Sequence, residues 1–105
     1  MKYKVVKTDV ADSNIRRIIL YVLERFGKKV AIDKLDYLEE NILSLGDNPY
    51  IGVEPQYRVL KKQGYLVLIL EKDLVFYKVD EKERIVTVYA VLDQRQDYMD
   101  ILRGL

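Results

Sequence analysis

The chain has 105 residues, half of them hydrophobic and a third charged, which describes one ordinary domain rather than a disordered segment. It contains no cysteine and no histidine, so disulfide frameworks, thiol nucleophiles, imidazole bases and the usual zinc sites are excluded. Eighteen basic residues against seventeen acidic ones leave a net charge of +1, which gives no overall pull toward nucleic acid, membranes or acidic partners.

Residues 2–8 alternate Lys with Tyr or Val, which predicts a short strand at a sheet edge, where lysines discourage further pairing. Asp9, Asp12 and Ser13 then supply helix-start chemistry. Ile15, Ile18, Ile19, Val22, Leu23 and Phe26 form one apolar stripe at helical spacing, and Gly27 stands where a left-handed residue closes a helix. A second helix carries Ala31, Leu35, Leu38, Ile42 and Leu45 and is closed by Gly46 and Pro49. The two form an antiparallel helical hairpin. Lys28, Lys29 and Lys34 open the second helix, against the macrodipole preference, so packing has to stabilise it.

Residues 46–55 hold two prolines and two glycines and read as a loop. The period then becomes strand-like over Tyr57–Leu60, Tyr65–Leu70, Leu74–Val79 and Ile85–Leu92, separated by short turns, as in an antiparallel meander. Residues 65–70 and 85–92 are almost continuously apolar and read as central strands. The tail from Asp93 to Arg103 reads as a short helix with Tyr98, Ile101 and Leu102 on one side.

The expected fold is therefore α+β, a single domain over residues 1–105. An N-terminal strand leads into a helical hairpin packed on one face of a twisted antiparallel sheet, and a short C-terminal helix follows. The other sheet face is partly open and is the natural place for function. The longest apolar run, Tyr65 to Leu70, is far short of the roughly 20 residues of a membrane span, so a cytoplasmic protein with no membrane partner is expected. No Gly-rich phosphate loop is present, the acidic clusters belong to helices and turns, and neither cofactor nor metal is expected.

This order of elements resembles the RelE/ParE superfamily of bacterial toxins from type II toxin–antitoxin systems, over essentially the whole chain. The resemblance is carried by Tyr21-Val22-Leu23-Glu24-Arg25-Phe26-Gly27, by Ser44-Leu45-Gly46-Asp47-Asn48-Pro49 and by Tyr57-Arg58-Val59-Leu60. Its most specific parts are Leu74-Val75-Phe76-Tyr77-Lys78-Val79-Asp80-Glu81 and Val91-Leu92-Asp93-Gln94-Arg95-Gln96-Asp97-Tyr98. The resemblance implies a growth-inhibiting toxin held inactive by a cognate antitoxin. RelE-like members cleave mRNA in the ribosomal A site, and ribosome-dependent mRNA cleavage, with ribosome and mRNA as partners, is the leading expectation. ParE-like members poison DNA gyrase instead. A toxin-fold interaction module without catalytic activity is the third reading.

Cleavage by 2′-OH attack requires a group to accept the proton, one to stabilise the phosphorane and one to protonate the leaving oxygen. Under the resemblance, Arg58, Arg95 and Tyr98 are the catalytic candidates, and Lys61, Lys62 and Lys72 form a candidate phosphate-contacting patch with Arg58. Each also has a plain structural alternative: a solvated charge for Arg58 and the lysines, a local ion pair for Arg95 beside Asp93 and Asp97, an apolar anchor for Tyr98. The sequence departs from the RNA-cleaving pattern at Leu60 and Leu74, where basic residues are usual, and at Asp93, where many members have His. Positive charge gathers in residues 56–72, with Arg58, Lys61, Lys62 and Lys72 against Glu71 alone, while acids prevail over residues 80–100. Tyr65, Tyr77 and Tyr89 read as packing residues, and Asp80, Glu81 and Glu83 as a solvated turn.

Overall fold

The structure, a computed structural model, describes residues 2–94. Strand β1 (Lys4–Lys7) leads into helix α1 (Asp9–Phe26) and then α2 (Lys28–Leu43), which ends in a 3-10 turn at Ser44–Gly46. A short helix α3 (Arg58–Lys62) precedes β2 (Leu66–Ile69), β3 (Asp73–Asp80) and β4 (Ile85–Asp93). The predicted C-terminal helix, with Arg95 and Tyr98, lies outside the described residues.

The α+β architecture is as expected: a helical hairpin lies on one face of a four-stranded sheet. Helix α1 starts earlier than the acidic residues suggested. Thr8 is its cap, and the Thr8 Oγ1 accepts from the Ala11 N–H at 3.1 Å. Asp9 and Asp12 fall in the first turn instead, where negative charge suits the helix dipole. Gly27 joins the helices with φ of 90°, a left-handed conformation that glycine reaches without steric cost.

The strand order is β1-β4-β3-β2. The meander pairs antiparallel, but β1 joins β4 in parallel, so the sheet is mixed. Strand β4 is central, as its apolar run predicted. The run 65–70 is not: β2 is an edge strand, and its apolar character comes from cover on both faces, while an isolated bridge from Val53 to Val67 partly occupies its outer edge. Tyr57–Leu60 is a second correction. It is not a strand but the approach to and first turns of α3, which lays Leu60 onto the sheet face opposite the hairpin.

The main core lies between hairpin and sheet, where Ile15, Leu38 and Leu45 meet Val75, Tyr77 and Val88. A second, smaller cluster forms on the opposite face from Leu60, Tyr65, Val67, Phe76, Ala90 and Leu92. Between them the register slips at Phe76/Tyr77, so that Phe76 faces Ala90 while Tyr77 faces Val88. Tyr89 is the extra residue, and this bulge places its ring against the second cluster.

Beyond Val88 strand β4 has no β1 partner, and α1 completes its edge. Thr8 N–H donates to the Val88 carbonyl at 3.0 Å, Thr8 Oγ1–H to the Tyr89 carbonyl at 3.3 Å, and the Val91 N–H donates to the buried Asn14 Oδ1 at 3.1 Å. An otherwise orphaned strand edge is thereby satisfied by the backbone and hydroxyl of the Thr8 cap and by the Asn14 side chain.

The β3–β4 turn is not simply solvated. Both Glu81 carboxylate oxygens accept from the Tyr3 hydroxyl at 2.8 Å, and Glu81 Oε2 also accepts from the Tyr50 hydroxyl. This ties the long loop to the hairpin tip. Further along that loop, Gly52 N–H donates to the Tyr77 hydroxyl at 3.0 Å, and a Cβ at Gly52 would stand 2.6 Å from that oxygen and 2.8 Å from the Val67 carbonyl oxygen. The Tyr50 and Tyr3 hydrogen bonds, aided by Arg84, hold the Glu81 carboxyl below its ordinary pKa despite some desolvation. The same bond to Glu81, with desolvation, pushes Tyr50 up to about 12. The carboxylate's contribution to stability is thus present above the ordinary carboxylate range and is lost as pH falls through its depressed value. The tyrosine's contribution is present below its ordinary value, about 10, and is lost as pH rises through its raised one. Urea midpoints measured across pH should therefore fall on both sides of a neutral plateau. Glu81→Gln should flatten both limbs, and unchanged limbs in that variant would refute the assignment.

Candidate functional site

Helix α1 does not bury its whole stripe. Ile15 is buried and Ile18, Ile19 and Val22 are half-buried, but Leu23 is 42% and Phe26 63% exposed. A groove of about 820 Å³ runs between this end of α1 and the sheet. Ile18, Tyr21, Val22 and Phe26 form its α1 wall, while Val91 and Leu92 of β4 line the sheet side. Arg17, Lys34, Glu71, Lys72, Asp73 and Asp93 add charges of both signs. An apolar trough with mixed charges suits an amphipathic peptide better than a polyanion.

The polar end of the groove is tightly built. Asp73, at the start of β3, is 1% exposed and ion-paired to Lys34 of α2. The Lys34 ammonium also lies 5.7 Å from the centroid of the Tyr37 ring. Gln94 donates from its backbone N–H to the Lys72 carbonyl at 2.9 Å and from its side chain to the Leu70 carbonyl at 2.6 Å. These bonds fasten the end of β4 to the β2–β3 turn.

The remaining candidates are dispersed. Arg58 is exposed at the start of α3. Lys61 pairs with Glu54 at 2.9 Å, and Lys62 is exposed at the end of the same helix. Lys72 is on the groove, on the hairpin side, whereas α3 packs on the opposite face. Arg95 and Tyr98 lie outside the described residues. Leu60 and Leu74, the apolar replacements noted in the sequence, both join the second cluster. Among the described residues, no three carboxylates gather as a metal site.

Three features escaped sequence reading. Lys34 and Asp73 lie 39 residues apart, and only the fold joins them. Asn14 is hidden inside the α1 stripe. Lys78 sits within a run read only as a strand, and alternation from Leu74 and Phe76 puts it on their face. Its ammonium is 4.5 Å from the Tyr65 ring centroid and 5.4 Å from that of Tyr89, and the two rings meet edge-to-face at 5.5 Å. Tyr65, Tyr77 and Tyr89 are packing residues, as expected, and two of them also frame this cation.

A strand, a helical hairpin on one sheet face and an antiparallel meander are the elements of the RelE/ParE toxin fold. The family model of the ParE toxin of the type II toxin-antitoxin system parDE matches residues 5–98, and the chain belongs to this family. It is thus a toxin of a type II system in the ParE/RelE class. Among solved structures, the chromosomal ParDE system from P. aeruginosa superposes with a TM-score of 0.72 at 14% identity, covering 88% of this chain and 96% of that one. The RelBE2 toxin–antitoxin complex from Mycobacterium tuberculosis gives 0.67 at 18% identity, with 90% and 100% covered. The isolated E. coli RelE toxin gives 0.57 at 15% identity, with 98% and 99% covered. At these identities the likenesses establish the fold. No curated protein matches the chain. No helix among the described residues is long and apolar enough to cross a membrane.

Proposed function

We propose that this toxin arrests growth by the ParE-like route, binding and poisoning DNA gyrase without cutting RNA, and that an antitoxin segment in the α1 groove neutralises it. The observation that carries the mechanism is the second apolar cluster. Leu60 and Leu74 occupy positions where RNA-cleaving relatives carry basic groups, and here they pack with Phe76, Ala90 and Leu92. A face built for phosphorane stabilisation needs preorganised charge. At those two positions packed leucines supply none, Lys78 is the cation this face retains, between Tyr65 and Tyr89, and Arg58 stands on an exposed helix turn rather than on a strand of that face. The antitoxin part rests on the groove, whose exposed Phe26 and Tyr21 are the aromatic anchors a partner segment uses. Toxin–antitoxin complexes among the structural neighbours agree with such a partner.

Induction of the toxin alone in growing bacteria should leave translation running while DNA damage and filamentation appear. Purified toxin should bind gyrase, and Arg58→Ala, Arg95→Ala and Tyr98→Phe should each change toxicity less than threefold. Arrested translation with mRNA cut within codons, relieved by Arg95→Ala, would overturn the reading in favour of ribosome-dependent cleavage by Arg58, Arg95 and Tyr98.

A further inference from the structure

The α1 wall of the groove carries a charge pattern that narrows what can occupy it. Arg17, Tyr21 and Arg25 stand four residues apart and form one ridge along the helix. Arg17 and Tyr21 line the groove. The Arg25 guanidinium lies over the Tyr21 ring, 5.0 Å from its centroid, which holds it beside that wall. The two arginines are thus rooted two turns apart, about 12 Å along the helix axis. Glu24, the acid at this end of α1, is exposed and does not line the groove.

At the polar end of the groove the signs are mixed: Lys34 is paired with Asp73, and Lys72 follows Glu71. Arg17 and Arg25, by contrast, have no acidic partner among the described residues. The floor is apolar, with Ile18, Val22, Val91 and Leu92. Alongside it the β4 edge is closed as far as Val91 by Thr8 and Asn14, so no backbone ladder is open there to an added strand. A helix satisfies its own backbone and needs no such ladder. A polyanion would lay phosphates on the apolar floor and toward the Glu71 and Asp93 carboxylates, which disfavours nucleic acid.

We propose that the groove takes an amphipathic helix of the antitoxin, apolar side down, with two carboxylates two turns apart on the flank that faces α1, one meeting Arg17 and the other Arg25. The inference rests on the antitoxin reading of the groove and adds the chemistry by which the segment is recognised. Arginine suits the role because its planar fork gives a carboxylate two parallel N–H donors. The pair also fixes register, since a helix slid by one turn brings neither carboxylate to its arginine.

The test uses the full chain and two synthetic amphipathic helices with the same leucine face. One carries two glutamates two turns apart on one flank, and the other has glutamines in their place. Affinity is read by fluorescence anisotropy of the labelled peptides. The glutamate helix should bind about tenfold more tightly than the glutamine helix, as expected for hydrogen bonds between charged groups, and added salt should shrink the difference. Arg17→Gln/Arg25→Gln should abolish the advantage and leave the glutamine helix unaffected. Phe26→Ala should weaken both helices alike. These side chains are exposed, and both variants should keep the wild-type circular dichroism spectrum. Equal binding of the two helices, or an advantage that survives the double arginine variant, would overturn the arginine pair while the groove reading stands. Binding of neither helix, or binding indifferent to Phe26→Ala, would overturn the groove reading itself. Concentration-dependent dimerisation of the toxin that the double arginine variant loses would overturn the antitoxin helix in favour of a second copy.

Discussion

Lys34→Met is expected to destabilise the toxin by about 3–5 kcal/mol, a large part of the stability of a domain this size. The reason is Asp73 rather than the lost attraction. The aspartate is 1% exposed at the head of β3, and Lys34 is its cationic partner. Removing the ammonium leaves a carboxylate in a low-dielectric setting, where the charged form is penalised by desolvation. The double variant Lys34→Met/Asp73→Leu should recover most of the loss, because an apolar pair of similar volume replaces two ions that were costly to bury. Urea unfolding of wild type, both single variants and the double variant gives the coupling directly. Additive single effects would mean that the pair contributes no specific energy. The pair also stands at the end of the groove, so a merely weakened fold should loosen the junction of α2 with β3 first.

The elements that were legible from sequence are those whose signal is local and long. Eighteen residues of α1 and sixteen of α2 give several turns of periodic burial, and Gly27 between them has a conformational reason to be glycine. The family pattern was legible too, because it spreads over the whole chain. Where reading failed, a tertiary partner decided. Tyr57–Leu60 offers only four residues, in which alternation and a helical turn look alike, and the docking of Leu60 on Phe76 and Leu92 settles the matter for helix. The run at 65–70 is apolar because β2 is covered by the hairpin on one face and by α3 and its cluster on the other, not because it is central. The parallel pairing of β1 with β4 joins residues some eighty positions apart, and local sequence carries no sign of it. The candidate site divides in the same way. Arg58 and the lysines were visible as charges, but their faces were not. The Lys34–Asp73 pair and the tyrosine frame around Lys78 exist only once the strands are aligned.

The second large effect is expected at the mouth of the groove. Phe26→Glu should weaken binding of the proposed antitoxin by thirtyfold or more, about 2 kcal/mol, the usual threshold for an aromatic anchor at an interface. Phe26 ends α1 with 63% of its surface exposed, beside Tyr21 and above the apolar floor of Val91 and Leu92. So exposed a ring contributes little to folding, and its apolar area becomes useful only when a partner covers it. A glutamate there removes that area and also places a charge to be desolvated as the partner binds. Its unfavourable position in the last turn of α1 costs the helix only about 0.3–1 kcal/mol, so the variant should fold. Leu43→Glu is the matching control, since Leu43 is 51% exposed at the end of α2 and lies outside this groove. In cells, Phe26→Glu should remain toxic while co-expressed antitoxin loses its protective effect, and Leu43→Glu should stay protected. Full protection of the Phe26 variant, with loss of protection at Leu43, would move the antitoxin off the groove and onto the outer face of α2. Loss of toxicity in Phe26→Glu, with antitoxin affinity intact, would instead make the groove the surface that meets the target.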